Sequence, residues 1–224
     1  MQFFIEGFEK GGIFMFPILL CALCALGVTL DRLLYVYFRA NIHGPNFMAQ
    51  VQRLLLDGNV DGAMRLCNAE PAAALPRVVK AALLRHDRSE GELRDAVEEA
   101  TLEVGPQINR RLAYLPMIAN VATLIGLLGT IHGLIMAFDA VGMADAQGRS
   151  ELLSSGIAVA MYATFFGLLV SIPTLVFHGL LAAQANSILD EIDHYGLRII
   201  NLLNALRGGT EPQEGAPVLP FPGR

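Results

Sequence analysis

The chain has 224 residues, 54% of them hydrophobic and 17% charged, with a mean hydropathy of +0.48 and a formal net charge of −5. A water-soluble domain carries about a quarter of its residues as Asp, Glu, Lys and Arg, so the composition excludes one. The small acidic balance says nothing useful about nucleic acid, but no basic stripe interleaved with aromatics appears, so no nucleic-acid partner is expected.

Residues 1–10 read as an amphipathic N-terminus. In QFFIEGFE, Phe3, Phe4, Ile5 and Phe8 sit among polar residues, a pattern suited to the outer membrane–water boundary. Gly11 and Gly12 then allow a bend, and residues 11–38 make the first transmembrane helix. No charge falls between Gly11 and Leu30, and a spanning helix needs about 20 apolar residues. Tyr35 and Tyr37 form an aromatic belt at its end. Positive charge follows this apolar run, the wrong polarity for a secretory signal, so the segment is expected to stay as an anchor. Cys21 and Cys24 form a CxxC at membrane depth and read as small apolar filling.

Residues 39–111 read as an all-helical cytoplasmic domain. FMAQVQRLLLDG is amphipathic and stops at Gly58; DGAMRLCNA and LPRVVKAALLRHD give two more helices. Cys67 falls here as a reduced thiol. Ser89 and Glu92 have capping-box spacing, opening a helix that runs through EGELRDAVEEATLEVGPQINRRL straight into the second span, with kinks expected at Pro106 and Pro116.

Residues 112–138 make the second transmembrane helix, 139–151 a periplasmic loop, and 152–189 the third span. Neither span carries a Lys, Arg, Asp or Glu. The third would be roughly 57 Å long at 1.5 Å per residue, against a hydrocarbon core of about 30 Å, so it should project into the cytoplasm. A cytoplasmic helix over 190–207 and a Gly- and Pro-rich, disordered tail over 208–224 follow. Arg32, Arg39, Arg110 and Arg111 flank the membrane on one side, whereas Arg149 is alone in the loop between spans two and three. The bias of positive charge toward the inside places the N-terminus in the periplasm and the C-terminus in the cytoplasm. The expected fold is thus an all-α membrane protein with three transmembrane helices, the long ones extending into a helical cytoplasmic domain.

On a wheel of 100° per residue, Ala119, Ala122, Thr123, Gly126, Gly129, Thr130, Gly133 and Ala137 fall on one side of span two. Gly156, Ala160, Ala163, Thr164, Gly167, Ser171, Thr174 and His178 do the same on span three. Small faces of this kind let membrane helices approach closely, and a weakly polar wall inside a bundle also lines ion and water paths. The stripes can do both, with glycines at helix contacts and hydroxyls toward a lumen.

GLLGTIHGLIMAF, followed by GIAVAMYATFFGLLVSIP, resembles the paired signature of the MotA/TolQ/ExbB proton-channel family, and GFEKGGIFMFPILLCALCALGVTLDRL resembles its first span. The resemblance covers roughly residues 7–205. It implies a stator or energy-transducing subunit of a bacterial inner membrane, a homopentamer around the transmembrane helices of an ExbD/TolR/MotB-like partner. That partner would supply the aspartate that is protonated and released. The resemblance further implies a pore lined by Thr130 and Thr164, joined by Thr123, Gly126, Gly133, Ala160, Gly167 and Ser171, with the glycines packing subunit against subunit. Membrane lipid is the other expected contact, and no cofactor, metal or enzymatic activity is implied.

His132 and His178 are secondary candidates, since an ionisable group at membrane depth invites a function. His132 lies about 200° around the helix from Thr130 and reads as a hydrogen-bonded neutral imidazole at a subunit contact. His178 reads as a solvated residue near the cytoplasmic boundary, where it can also flank a pore mouth. Two positions depart from the family pattern. Val159 stands where ExbB and TolQ members have glutamate, and Thr123 where many members have proline. The first argues against a glutamate relay and for a divergent branch, of the kind that drives gliding or another surface process. Hydroxyls and carbonyls suit H⁺ and Na⁺ alike. The alternative function is a non-conducting membrane scaffold that docks a partner through its cytoplasmic helices.

Overall fold

The computed structural model describes residue 7 and residues 11–40, 42–143 and 148–208. The expected amphipathic stretch 1–10, apart from Gly7, and the tail beyond Gly208 lie outside the described residues, as do 144–147 of the 139–151 loop. Among the described residues every regular element is helical. They are α1 (Met15–Leu34), a π-helical turn (Tyr35–Ala40), α2 (Gly44–Leu56), α3 (Val60–Ala69), α4 (Ala74–Leu84), α5 (Glu90–Asn109), α6 (Tyr114–Met143) and α7 (Arg149–Gly208). Three helical stretches are long and apolar enough to cross a membrane. The protein is an all-α membrane protein.

The chain divides into two compact units, Met1–Val36 with Asn109–Gln184, and Tyr37–Ile108 with Ala185–Arg224. In the first, α1 starts after Gly12, whose φ of +73° makes the bend that the Gly-Gly pair suggested. Pro17 sits in the first helical turn, where its missing N–H costs nothing. α1 packs along α6, and Met15 and Ile18 meet Phe166 of α7, with Ile125, Tyr162 and Val170 packed around them. Under a third of each spanning window is buried. Leu20, Leu23, Leu124, Leu128, Met161 and Ile172 are among the many large apolar side chains left exposed, as lipid or neighbouring helices require.

In the second unit the amphipathic helices close on one another through Val51, Ala63, Cys67, Val78, Leu83, Leu93, Ile192 and Ile199, all buried. Local chemistry sets its turns. Gly58 ends α2 at φ +71°, and Asn59 Oδ1 accepts from the Gly62 N–H at 2.8 Å, capping α3. Ser89 and Glu92 form the expected reciprocal cap: the Ser89 N–H donates to Glu92 Oε2 at 3.0 Å and the Glu92 N–H to Ser89 Oγ at 3.4 Å. Near the end of α7, the Arg207 guanidinium donates to the carbonyls of Arg88 and Arg85.

Two expectations need correction. The helix opened by Ser89 does not run into span two. It stops at Asn109, and a turn over 110–113 precedes α6, with Arg111 at φ +65°. Pro116 thereby lies in the first turn of a new helix, where it breaks no hydrogen bond. Conversely, the segments read as a span over 152–189 and a separate helix over 190–207 form one uninterrupted helix, Arg149–Gly208, through Pro173. The 60 residues of α7 extend for about 90 Å. The helices also occupy 139–143 and 149–151 of the expected loop.

Candidate functional site

The small stripes of α6 and α7 face each other within one chain. A Cβ built on Gly126 would lie 3.0 Å from the Ala163 carbonyl oxygen and 3.3 Å from Gly167 Cα. One built on Gly167 would lie 2.9 Å from the Ala122 carbonyl oxygen and 3.1 Å from Gly126 Cα. Seven residues further along α6, Gly133 meets Ala160 at 3.0–3.1 Å. A step of seven up one helix thus matches a step of seven down the other, the repeat of a left-handed antiparallel pair. Even a methyl group at Gly167 would require a backbone shift, and one at Gly126 or Gly133 would be tighter than ordinary contact. These glycines pack against the neighbouring helix of their own chain.

The hydroxyls are arranged differently. Ser171 and Thr174 are buried, whereas Thr123, Thr130 and Thr164 are half-buried at the edges of the seam. Thr164 Oγ1 donates across it to the Gly126 carbonyl at 3.3 Å. Thr123 donates to the Ala119 carbonyl at 3.1 Å, Thr130 to the Leu127 carbonyl at 2.5 Å and Thr174 to the Val170 carbonyl at 2.7 Å, each on its own helix. The four threonine hydroxyl hydrogens are therefore committed to carbonyls, and what each oxygen has left to offer is a lone pair.

Of the candidate residues, Gly126, Gly133, Ala160, Gly167 and Thr164 come together at the seam. The histidines stay apart from it. The exposed His132 ring stands edge-on to Phe14, 5.2 Å between centroids. His178 is half-buried with an enclosed Nδ1 that lacks a hydrogen-bond partner. The position of the missing family glutamate, Val159, is half-buried, and its Cγ1 would lie 3.7 Å from a Cβ on Gly12, in ordinary contact.

Sequence reasoning missed one polar cluster. At the end of α1, Arg32 is 5% exposed. Its Nη1 donates to the Arg110 carbonyl at 2.9 Å and its Nε to Asp31 Oδ2 at 3.0 Å, while Arg111 Nη1 reaches the same Asp31 oxygen at 3.1 Å. The available signal was the adjacent Asp-Arg pair closing an apolar run.

Among the described residues no three His, Cys, Asp or Glu side chains gather as metal ligands. In the second unit a cleft of about 280 Å³ is lined by Cys67, Arg77, Lys80, Leu84 and Glu103 among others. Its charges are already engaged: Arg77 bonds Glu103 and Gln107, both at 2.7 Å, and Lys80 bonds Asn68 at 2.7 Å. Burial pushes the Cys67 thiol up to about 11, far from a reactive thiolate.

Comparison with known proteins agrees with this architecture. Residues 70–194 match the MotA/TolQ/ExbB proton channel family. The chain is 29% identical over 197 residues to biopolymer transport protein exbB1 of Vibrio cholerae, covering 87% of this chain and 85% of that protein. It is 33% identical over 188 residues to the putative biopolymer transport protein ExbB-like 1 of Synechocystis, covering 81% and 72%. The fold resembles the C. jejuni MotAB structure, with a TM-score of 0.56 at 17% identity, over 87% of this chain and 76% of that one. With the family match running from the α3–α4 turn through both small-faced helices, the chain belongs to the MotA/TolQ/ExbB proton channel family.

Proposed function

We propose that this chain is the ion-conducting stator subunit of a machine in a bacterial inner membrane. Several copies, a pentamer by analogy with the family, enclose the transmembrane helices of an ExbD/TolR/MotB-like partner and turn ion flow into mechanical work. Family membership supports the coarser part, a stator-like membrane protein coupled to the proton motive force. The partner, the copy number, the topology and the process driven are this proposal's own.

One observation carries the reading: Thr130 and Thr164 stand half-buried at the edges of two spans that hold no carboxylate over 114–138 and 152–189. A proton-driven device needs a titrating group in the membrane; a carboxylate must come from a partner, and His132 is the alternative within the chain. Because the Thr130 and Thr164 hydrogens are committed to carbonyls, their oxygens act as acceptors. A protonated partner carboxyl can donate to such an oxygen; an ionised one cannot and is repelled by it. Protonation thus favours docking against the threonine edge, and release of the proton favours leaving it. Gly126, Gly133, Ala160, Gly167 and Ser171 serve this by locking the helix pair that presents the hydroxyls.

The test is the Thr130→Val/Thr164→Val double variant, co-expressed with the partner and reconstituted in vesicles with an internal pH dye. Val keeps the shape and removes both oxygens. The expected result is an intact complex with proton flux and motor output lost; undiminished output would remove the threonines from the path. The scaffold reading has its own support, since the threonine hydroxyl hydrogens at the seam are satisfied inside the chain. It predicts an abundant wild-type complex with no flux in any state.

A further inference from the structure

The proposed function makes no use of the Arg32 cluster, and the cluster's charges do not balance. Two guanidinium groups, Arg32 and Arg111, engage one carboxylate, Asp31, and a third arginine, Arg110, adjoins Arg111 in the chain and gives its backbone carbonyl to Arg32. Arg32 is buried and spends two of its donors on Asp31 and one on the Arg110 carbonyl. Its face lies on the Tyr35 ring, 4.8 Å from the centroid. Arg111, with 46% of its side chain exposed, shares Asp31. The exposed Arg110 side chain has no partner among the described residues. Two positive charges are therefore left over and presented outward.

The surroundings say what kind of anion fits. Within a turn of the cluster, Leu30 and Leu34 on α1 and Tyr114 and Met117 on α6 are 50–62% exposed. An apolar wall thus runs up to a cationic edge, at the ends of two helices that cross the membrane. A soluble anion would match the edge and leave the wall wet. The geometry points to an anionic glycerophospholipid held at this place, its phosphate between the Arg110 and Arg111 guanidiniums and its acyl chains along the wall. Guanidinium forks suit phosphate oxygens bidentately, and each arginine near a membrane surface adds roughly fivefold to anionic-lipid affinity. The bound lipid would brace the turn over 110–113, where Arg111 holds its left-handed backbone.

The experiment is native mass spectrometry of the full chain in detergent, given equal amounts of dioleoylphosphatidylglycerol and dioleoylphosphatidylcholine. Wild type is expected to retain the phosphatidylglycerol preferentially. Arg110→Gln, which touches no internal bond of that side chain, should lower the preference about fivefold, and Arg110→Gln/Arg111→Gly about 25-fold. Glycine suits the backbone at 111, so the double variant should melt like wild type in phosphatidylcholine alone. Equal retention of the two lipids by wild type overturns the site, as does full preference in a folded Arg110→Gln variant. Displacement of the lipid by inorganic phosphate would also overturn it, by showing a site for free anions.

Discussion

Thr164 and Gly126 are joined across the helix pair by a hydrogen bond, from the hydroxyl on α7 to the carbonyl on α6 at 3.3 Å. The bond exists because Gly126 and Gly167 let the two backbones approach closely at this level. A carbonyl already engaged in its own helix accepts a second donor, so the contact adds registry more than strength.

The close approach makes the seam intolerant of volume. Gly167→Val puts methyl groups where even a Cβ lies 2.9 Å from the Ala122 carbonyl. It should destabilise the fold by about 1–3 kcal/mol or force the helices apart. Gly179→Ala, on the same helix with nothing within 4 Å of the added Cβ, should be neutral or stabilise by up to about 1 kcal/mol. Thermal melting of both variants in one detergent checks the contrast. Equal effects would mean that the seam is not packed as described.

The Arg32 cluster separates a buried cation from an exposed one. Arg32→Ala strands the Arg110 carbonyl and leaves Asp31 with Arg111 alone, and should cost about 2–3 kcal/mol. Arg111→Gly loses a surface ion pair worth about 0–1 kcal/mol and gains back the strain of φ +65°, of order 1 kcal/mol. Its stability should hardly change. Denaturant or thermal unfolding of the two variants in phosphatidylcholine provides the measurement.

Cys67 should leave a signature at high pH. Its folded thiol is raised from the ordinary 9.0 to about 11, chiefly by burial. A raised acid favours the folded state only while protonated. The contribution is therefore whole below about pH 9 and is lost as pH climbs from there toward about 11. Lys and Tyr titrate in the same window, so the readout is the difference between wild type and Cys67→Val. That difference should be flat below pH 9 and move against wild type above it. Maleimide labelling at neutral pH should be slow in the folded chain and fast once it is unfolded.

The spans were legible because charge is absent from long stretches, and a missing charge is a local fact. The Ser89–Glu92 cap and the Gly58 stop were legible for the same reason, since each depends on neighbours a few residues apart. The turn over 110–113 was not, because Arg32, 78 residues away, holds its carbonyl. The prolines pointed to a disturbance nearby but not to its position. The wheel found which residues share a face on α6 and α7. It contained nothing to say whether those faces would meet each other or a second copy, since both choices bury the same small side chains. Continuity of α7 was obscured by the change from apolar to charged residues near Asp190, which alters solvent and leaves helix propensity intact.

The tightness of the glycine seam has a consequence for stoichiometry. Backbones this close leave no width for water or an ion between α6 and α7 at the Gly126, Gly133 and Gly167 levels. Under the proposed function, the conduit then has to lie outside this helix pair, with walls borrowed from other molecules. On that proposal conduction would be owned by the assembly, and a faulty copy would harm the neighbours whose boundary it completes.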